Sequence, residues 1–556
     1  LKSVCSQLNI LFRIDKKLPS KLNELKAYFK RFLTGQSRFK LVIILDSLQD
    51  LNNHDNALKL DWLPVYLRRD CKLILTVSSE SHALLNKLKV KYNYAHDDQL
   101  FIKLDNYLSK ENGEFMIKKM LQANNHRLEE SQFKYLFQLL DNRTNMSLTR
   151  QQSSMSSFSS SSNAYGVVNR RQIKSAHYTQ LHKPQTNGGY HSYFLLKLLC
   201  NELIRLKSYT KLDSDPYFVA LLNNGNFELN SFLANFIDCL ELKFGSMLIK
   251  HLLCYITIAQ NGFSELELQD ILSLDDELLS FMKSKEIYFS ESKSSEIRLP
   301  WFYLLRPLNY LNDYLIRRPF QGVYTIHWRH KIFTQIVWKK YLSGNKRFRI
   351  YLHNNVAEYL LGKWSKSSKP LEYETIRVPA MKTATTSRDP SASLLFDKPI
   401  VTRHRVQANR LVPIQPVRYE EFHTNIRARY NLRKLYLMPF HLIEANLVDQ
   451  LFEHVYFSIE WIHAKIVAFD LAHLIYDFEL MRTNHEVNLV RECLKMSEAS
   501  IGEDANLLFN ELSGRLLPYY KHNENIRRLV DQCDKMTFKL NPILPVNQLL
   551  NAPCMN

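Results

Sequence analysis

A carboxylate at the tip of an aliphatic run is the group in this chain best placed to do chemistry. Leu41-Val42-Ile43-Ile44-Leu45 ends abruptly in Asp46, and Ser47-Leu48-Gln49-Asp50-Leu51 follows. Five apolar residues in a row read as a strand buried on both faces. In parallel α/β sheets ligands bind beyond the carboxyl ends of the strands, so Asp46 stands where a site would be built. A carboxylate there commonly orients the magnesium of a bound nucleotide. A core strand capped by a turn Asp reads the same from these residues alone. About 30 residues on, Cys71-Lys72-Leu73-Ile74-Leu75-Thr76-Val77 forms a second such stretch, ending in Ser78 and Ser79. With helical sequence between them, the two stretches make a βαβ unit. No Ser-His-Asp, Cys-His or zinc-ligand constellation offers an independent enzymatic reading.

The elements that must position these groups carry a resemblance. The pair of strands, with Leu60-Asp61-Trp62-Leu63-Pro64 between them, resembles the Walker B and sensor strands of a NACHT-type NTPase. The nearer likeness is to the NACHT and WD-repeat domain proteins. Three later motifs extend it. Gly262-Phe263-Ser264-Glu265-Leu266-Glu267-Leu268 resembles the opening of the family's winged-helix domain. On physical grounds it ends one helix at Gly262 and starts another at Ser264, with Ser264 and Glu267 as a capping box and Leu266, Leu268, Ile271 and Leu272 facing the core. Arg329-His330-Lys331-Ile332-Phe333 opens a helix directly after an alternating wing strand at Gly322–Trp328. Arg433-Lys434-Leu435…Met438-Pro439-Phe440-His441-Leu442 resembles the segment that begins the family's helical repeats.

Composition sets the bounds. The 556 residues suffice for three or four domains, and 45% hydrophobic with 23% charged content is that of an ordinary globular protein. No apolar run approaches the ~20 residues needed to span a bilayer. Eight scattered cysteines include no C-x-x-C pair, which fits a reducing, cytoplasmic setting and no metal site. The net charge of +19 resides largely in two stretches. Asn142–His191 holds six Lys/Arg and no acid, and Gly362–Tyr419 holds eleven against four acids. Both read as loops, so dedicated nucleic-acid binding is not expected.

The fold class expected is α/β then mostly α: a partial P-loop NTPase-type parallel sheet followed by helical, winged-helix and helical-repeat modules. Residues 1–142 read as a NACHT-type α/β domain with a third strand at Leu100–Leu104. A Ser-rich, disordered insertion covers 143–190. A helical domain covers 191–255, a winged-helix domain 256–345 and a connecting helix 346–364. A basic, disordered insertion at 365–418 precedes helical repeats at 419–545. One part of the pattern is absent: no G-x-x-x-x-G-K-[ST] loop occurs, and only 13 Gly are spread over the chain. The chain opens on Leu1 rather than Met, so an upstream segment is missing or the domain is degenerate. The strands of WD-repeat propellers are not found either.

The resemblance implies a site of Asp46, Asp50, Ser78, Ser79 and His330. Asp46 would help hold Mg, Ser78 or Ser79 would contact the γ-phosphate or water, and His330 would reach the β-phosphate of ADP. His330 also reads as a helix-start residue packed beside Trp328. The family turn carries a second acid where Gln49 stands, and an amide cannot take a proton from water; Asp50 lies one position on. The function implied is an ATP/ADP-regulated signalling switch or scaffold, at most a slow or degenerate ATPase. It would have protein partners, with homo-oligomerisation on activation as one arrangement. A nucleotide-independent interaction scaffold and a winged-helix DNA-binding protein are the competing readings.

Overall fold

The computed structural model describes residues 1–14, 18–19, 22–35, 40–51, 54–78, 81–92, 101–102, 110–138, 193–207, 209–222, 229–285, 296–377, 400–419, 429–540 and 550–553. The chain divides into two compact units, Leu1–Asn106 and Tyr107–Asn556.

In the first unit α1 (Lys2–Leu11) and α2 (Leu22–Thr34) precede β1 (Leu41–Leu45), and β2 (Cys71–Leu75) and α3 (His82–Lys91) follow. The strands pair in parallel with Leu41 opposite Cys71 and Leu45 opposite Leu75. Cys5, Leu8, Leu25, Phe29 and Leu33 of the two helices pack with Leu41, Ile43 and Cys71. A smaller cluster of Leu48, Leu60, Leu63, Leu84 and Leu88 lies beside the strand tips.

The expectation of a strand buried on both faces is corrected here. Val42 and Ile44 are 58% and 64% exposed and Ile74 is 49% exposed, so only alternate residues of β1 and β2 enter the core. The five-residue apolar run is therefore a period-two strand whose outward positions happen to be aliphatic. Leu11 of α1 is exposed as well. Of the expected third strand, Phe101 and Ile102 are described and lie outside any strand, while the rest falls outside the described residues.

The second unit opens with α4 (Lys110–Ala123) and α5 (residues 130–138). Their Ile117, Leu121 and Leu136 join one continuous core with Leu195, Leu196 and Leu199 of α6 (Tyr193–Arg205). The boundary between units thus precedes these helices, where the sequence had placed them in the α/β domain. α7 (Pro216–Leu222), α8 (Leu229–Phe244) and α9 (Ser246–Ile258) follow. The expected Ser-rich insertion at 143–190 lies outside the described residues.

The winged-helix module runs through α10 (Glu265–Leu274), α11 (Asp276–Ser284), α12 (Trp301–Tyr310), β3 (Leu315–Phe320), β4 (Val323–Trp328) and α13 (Lys331–Val337). The expected capping box is present: the Glu267 N–H donates to the Ser264 hydroxyl at 3.2 Å, and the Ser264 N–H donates to the Glu267 carboxylate at 2.7 Å. Leu266 points outward at 64% exposure, against the expectation that it faces the core. The wing closes tightly, Phe320 pairing with Val323 across Gln321 (φ 49°) and Gly322 (φ 83°), the positive-φ pair of a hairpin turn. An antiparallel bridge from Phe263 to Ile326 extends it.

Two buried carboxylates knit these helices together. Glu202 accepts from the hydroxyls of Tyr217, Tyr310 and Tyr314, with Arg205 at 3.2 Å. Asp275 accepts from Tyr255 at 2.8 Å, Tyr351 at 2.9 Å and the Leu278 N–H at 3.1 Å, and lies 2.6 Å from His251 Nδ1. Each carboxylate is fully buried and surrounded by donors, the condition under which a buried charge is tolerated.

A π-helical turn (Trp338–Leu342) leads to α14 (Lys346–Leu361), which ends on Gly362 at φ 73°. The next stretch was expected to be disordered, and the structure corrects this for much of it. β5 (Lys369–Arg377) and β6 (Ile400–Ala408) form an antiparallel hairpin with Leu371 opposite Val406 and Tyr373 opposite His404. Leu371 and Ala408 pack with Leu279 and Ile297. Arg410 is fully buried, donating to Ser273 O at 3.0 Å and Asp276 at 2.9 Å. Short pairing of β7 (Arg418–Tyr419) with β8 (Arg429–Tyr430) precedes the helical stack. That stack comprises α15 (Leu432–Glu444), α16 (Val448–Leu451), a second π-helical turn (Phe452–Tyr456), α17 (Ile459–Ala468), α18 (Leu471–Glu479), α19 (His485–Met496), α20 (Glu498–Glu503), α21 (Leu508–Leu516) and α22 (Glu524–Leu540). Its core is continuous with that of the winged helix. Among the described residues no helix is long and apolar enough to cross a membrane.

Candidate functional site

Because β1 and β2 are parallel and in register, their carboxyl ends emerge together. Asp46 is exposed at that edge and accepts a hydrogen bond from the Thr76 hydroxyl. Thr76 Oγ1 in turn accepts from the Ser47 N–H at 2.8 Å, and Thr76 O accepts from the Leu48 N–H at 3.1 Å. Ser47 sits in the left-handed region (φ 57°, ψ 55°), which turns the chain sharply after Asp46. The Gln49 side-chain oxygen accepts from the Ser78 N–H at 3.0 Å. The amide that replaces an acid in the family turn is thus committed to holding the two strand ends together.

Of the residues expected at this site, the structure brings together Asp46 and Ser78 through the lacing of Thr76 and Gln49. Ser79 and the side chain of Asp50 lie outside the described residues. Sequence reasoning missed Thr76, whose hydroxyl is the closest partner of the carboxylate. The signal was available: in a parallel pair, the residue following β2 lies beside the residue following β1.

His330 belongs to the second unit. It occupies the cap position of α13 without a side-chain capping bond. Its ring meets Phe194 of α6 edge-on at 4.2 Å, rather than resting on Trp328, which stacks on Phe333 at 5.1 Å. Burial, then Lys197, then Arg329 hold the imidazole below the ordinary histidine range, so it is neutral at pH 7 and set among cations. His327 plays another part. Its Nε2 lies 2.8 Å from Thr325 Oγ1 and would be 2.7 Å from a Cβ at Gly262, so the close approach requires glycine there.

Two segments singled out in the sequence meet in space. Arg433, in the first turn of α15, forks onto Glu267 with 2.8 Å bonds to each carboxylate oxygen and donates to Gly262 O at 2.7 Å. Both partners are about nine-tenths buried. Glu267 therefore caps α10 and anchors α15 with the same carboxylate. Two turns further along α15, His441 Nδ1 lies 3.0 Å from His353 Nδ1 of α14. The economical tautomer has His441 donating, since its buried Nε2 has no partner and a bare acceptor costs less there than a bare donor.

Among the described residues no group of three or more His, Cys, Asp or Glu could hold a metal by itself. The seven described cysteines are free and buried.

Residues 217–349 match the NWD1-like winged helix-turn-helix domain. NACHT and WD repeat domain-containing protein 2 of Mus musculus is 24% identical over 561 residues, covering 99% of this chain and 28% of that protein. The human protein of the same name is likewise 24% identical, over 558 residues, covering 99% of this chain and 28% of that protein. NACHT domain- and WD repeat-containing protein 1 of Homo sapiens is 32% identical over 288 residues, 50% of this chain and 16% of that protein. The chain therefore spans less than a third of the length of these relatives. Residues 217–349 thus match a winged-helix family model, and over nearly its whole length the chain is similar to NACHT and WD repeat domain-containing proteins.

Proposed function

We propose that this chain is part of a nucleotide-regulated signalling switch or scaffold in which ATP or ADP biases how its modules pack. The observation that carries this reading is the parallel β1–β2 tip, where an exposed carboxylate and a hydroxyl converge at the edge of the strands. Magnesium is usually held by one or two carboxylates plus phosphate oxygens, so Asp46 and the Thr76 hydroxyl suit it chemically. The ion would supply charge neutralisation at the phosphates. His330, neutral and beside Lys197 and Arg329, is a directional donor in surroundings that favour an anion. Turnover is slow or nil in this reading, because Gln49 offers no base and its oxygen is already taken by Ser78. In a switch of this kind, proteins are the partners and homo-oligomerisation is the active arrangement.

Calorimetric titration of the purified chain with Mg-ATP and with ADP tests the reading. Binding is expected, weakened by Asp46→Ala and by His330→Ala, with little phosphate release. A flat titration for both nucleotides would leave the second reading, a nucleotide-independent scaffold.

A further inference from the structure

Lys339-Lys340-Tyr341-Leu342-Ser343-Gly344-Asn345-Lys346-Arg347-Phe348-Arg349 holds five cations and no acid. This run is folded: it forms the π-helical turn, a short loop and the start of α14. Together with the start of α9 it lines an open cleft of about 670 Å³, within the range of small-molecule sites. π-Helical turns recur at functional sites, because the widened turn re-aims the side chains it carries.

The charges lining the cleft can be assigned one by one. The Lys340 ammonium bonds Asp238 and lies 3.5 Å from Glu241, and the Tyr341 hydroxyl also donates to Glu241. The one Lys340 ammonium is thus shared by two carboxylates, which leaves a single negative charge on that side. Lys250 and Lys339 also line the cleft, and neither pairs with a carboxylate among the described residues. Lys250 is steadied by the Phe348 ring, whose centroid lies 4.2 Å from its Nζ. Ser246 lines the same space at the first position of α9, a helix whose start at Gly245 has no side-chain cap. Lys250 and Lys339 outweigh that negative charge, and two ammonium groups with a hydroxyl suit the several oxygens of a phosphate, which takes charge-assisted hydrogen bonds from more than one side.

We infer that the cleft between α9 and the Trp338–Leu342 turn binds a phosphate monoester through Lys250, Lys339 and Ser246. The phosphate is carried either by a free small molecule or by a lipid headgroup. This site is separate from the nucleotide reading and uses none of its residues.

The test titrates the full chain with glycerol 3-phosphate and, in parallel, with phosphatidylcholine vesicles with and without phosphatidylinositol 4-phosphate. Saturable binding in the first arm assigns a free ester, and binding to the doped vesicles alone assigns a headgroup. Lys339→Ala and Lys250→Ala should each weaken binding about tenfold, the loss of one charge-assisted hydrogen bond. Lys339→Glu on the exposed turn should abolish it while the thermal melt stays unchanged. Lys366→Ala, on an exposed lysine elsewhere, and His330→Ala should both bind as the parent does. No binding in either arm overturns the proposal. So does a Lys366→Ala loss equal to that of Lys339→Ala, which would show diffuse charge attraction. Loss of binding in His330→Ala would place the phosphate at the other site, and would overturn it too.

Discussion

The sheet of the first unit and helix α9 of the second are both read from aliphatic sequence, yet they are buried to very different degrees. Ten of the thirteen residues of α9 are buried, Leu252 and Cys254 completely. In β1 the apolar run is just as dense, but Val42 and Ile44 face outward. Apolar density states how much surface a segment can bury; the neighbours decide how much it does bury. The polar groups differ in the same way. Asp46 is an exposed carboxylate with one hydroxyl partner, a suitable resting state for a group that meets a ligand. Glu267, Glu202 and Asp275 are sealed in and saturated with donors, as carboxylates that hold a structure together must be.

Four measurements would break or sharpen this contrast. The largest effect belongs to the buried ion pair. Arg433→Ala leaves Glu267 buried and uncompensated, and a loss of about 3–5 kcal/mol is expected in urea unfolding of the full chain. An unchanged midpoint would show that the pair contributes only geometry. Next, Leu252→Ala should cost about 2–5 kcal/mol as a core cavity. The matching Val42→Ala on the open sheet face should stay within about 0.5 kcal/mol. Equal losses would mean that the outward face of β1 is covered in solution.

The third effect depends on pH. Burial, then Arg349, depress the folded-state value of His353 to about 3, and burial, then His353, hold His441 well below 6.5. Below pH 6.5 the unfolded chain takes up protons that the folded one refuses, so stability is full above 6.5 and falls as the pH drops. The slope is about 1.4 kcal/mol per pH unit for each histidine, and for His353 it continues to about pH 3. Unfolding of His353→Gln between pH 7 and pH 5 should show a shallower slope than the parent. An identical slope would mean that the imidazoles are reached by water. The smallest effect is at the strand tip. Gln49→Ala deprives the Ser78 N–H of its partner and should cost about 1 kcal/mol in melts that follow the first unit.

Local chemistry was the most legible part of this sequence. Ser264 and Glu267 specify their capping box by spacing alone. His330 lies at a helix start as expected. What was missed depends on partners distant in the chain. Thr76 was passed over because a threonine after a strand looks like any turn residue until the parallel register sets it against Asp46. The β5–β6 hairpin was hidden by its composition. Its alternation was present in Leu371 and Tyr373 between Glu372 and Glu374, and in Val406 and Ala408. The surrounding Ser, Thr, Pro and Arg outweighed it, and nothing in the sequence shows that Arg410 is buried beneath the hairpin.

The shared carboxylate of Glu267 has a mechanical corollary. Prising α15 outward would withdraw the guanidinium that keeps this side chain in register with the first turn of α10. The same movement would release Gly262 O, next to the strand bridge that extends the wing. Strain applied to the helical stack would thus be felt first at the hinge between α9 and α10. Displacing α15 would therefore loosen the winged helix at its root rather than at its tip.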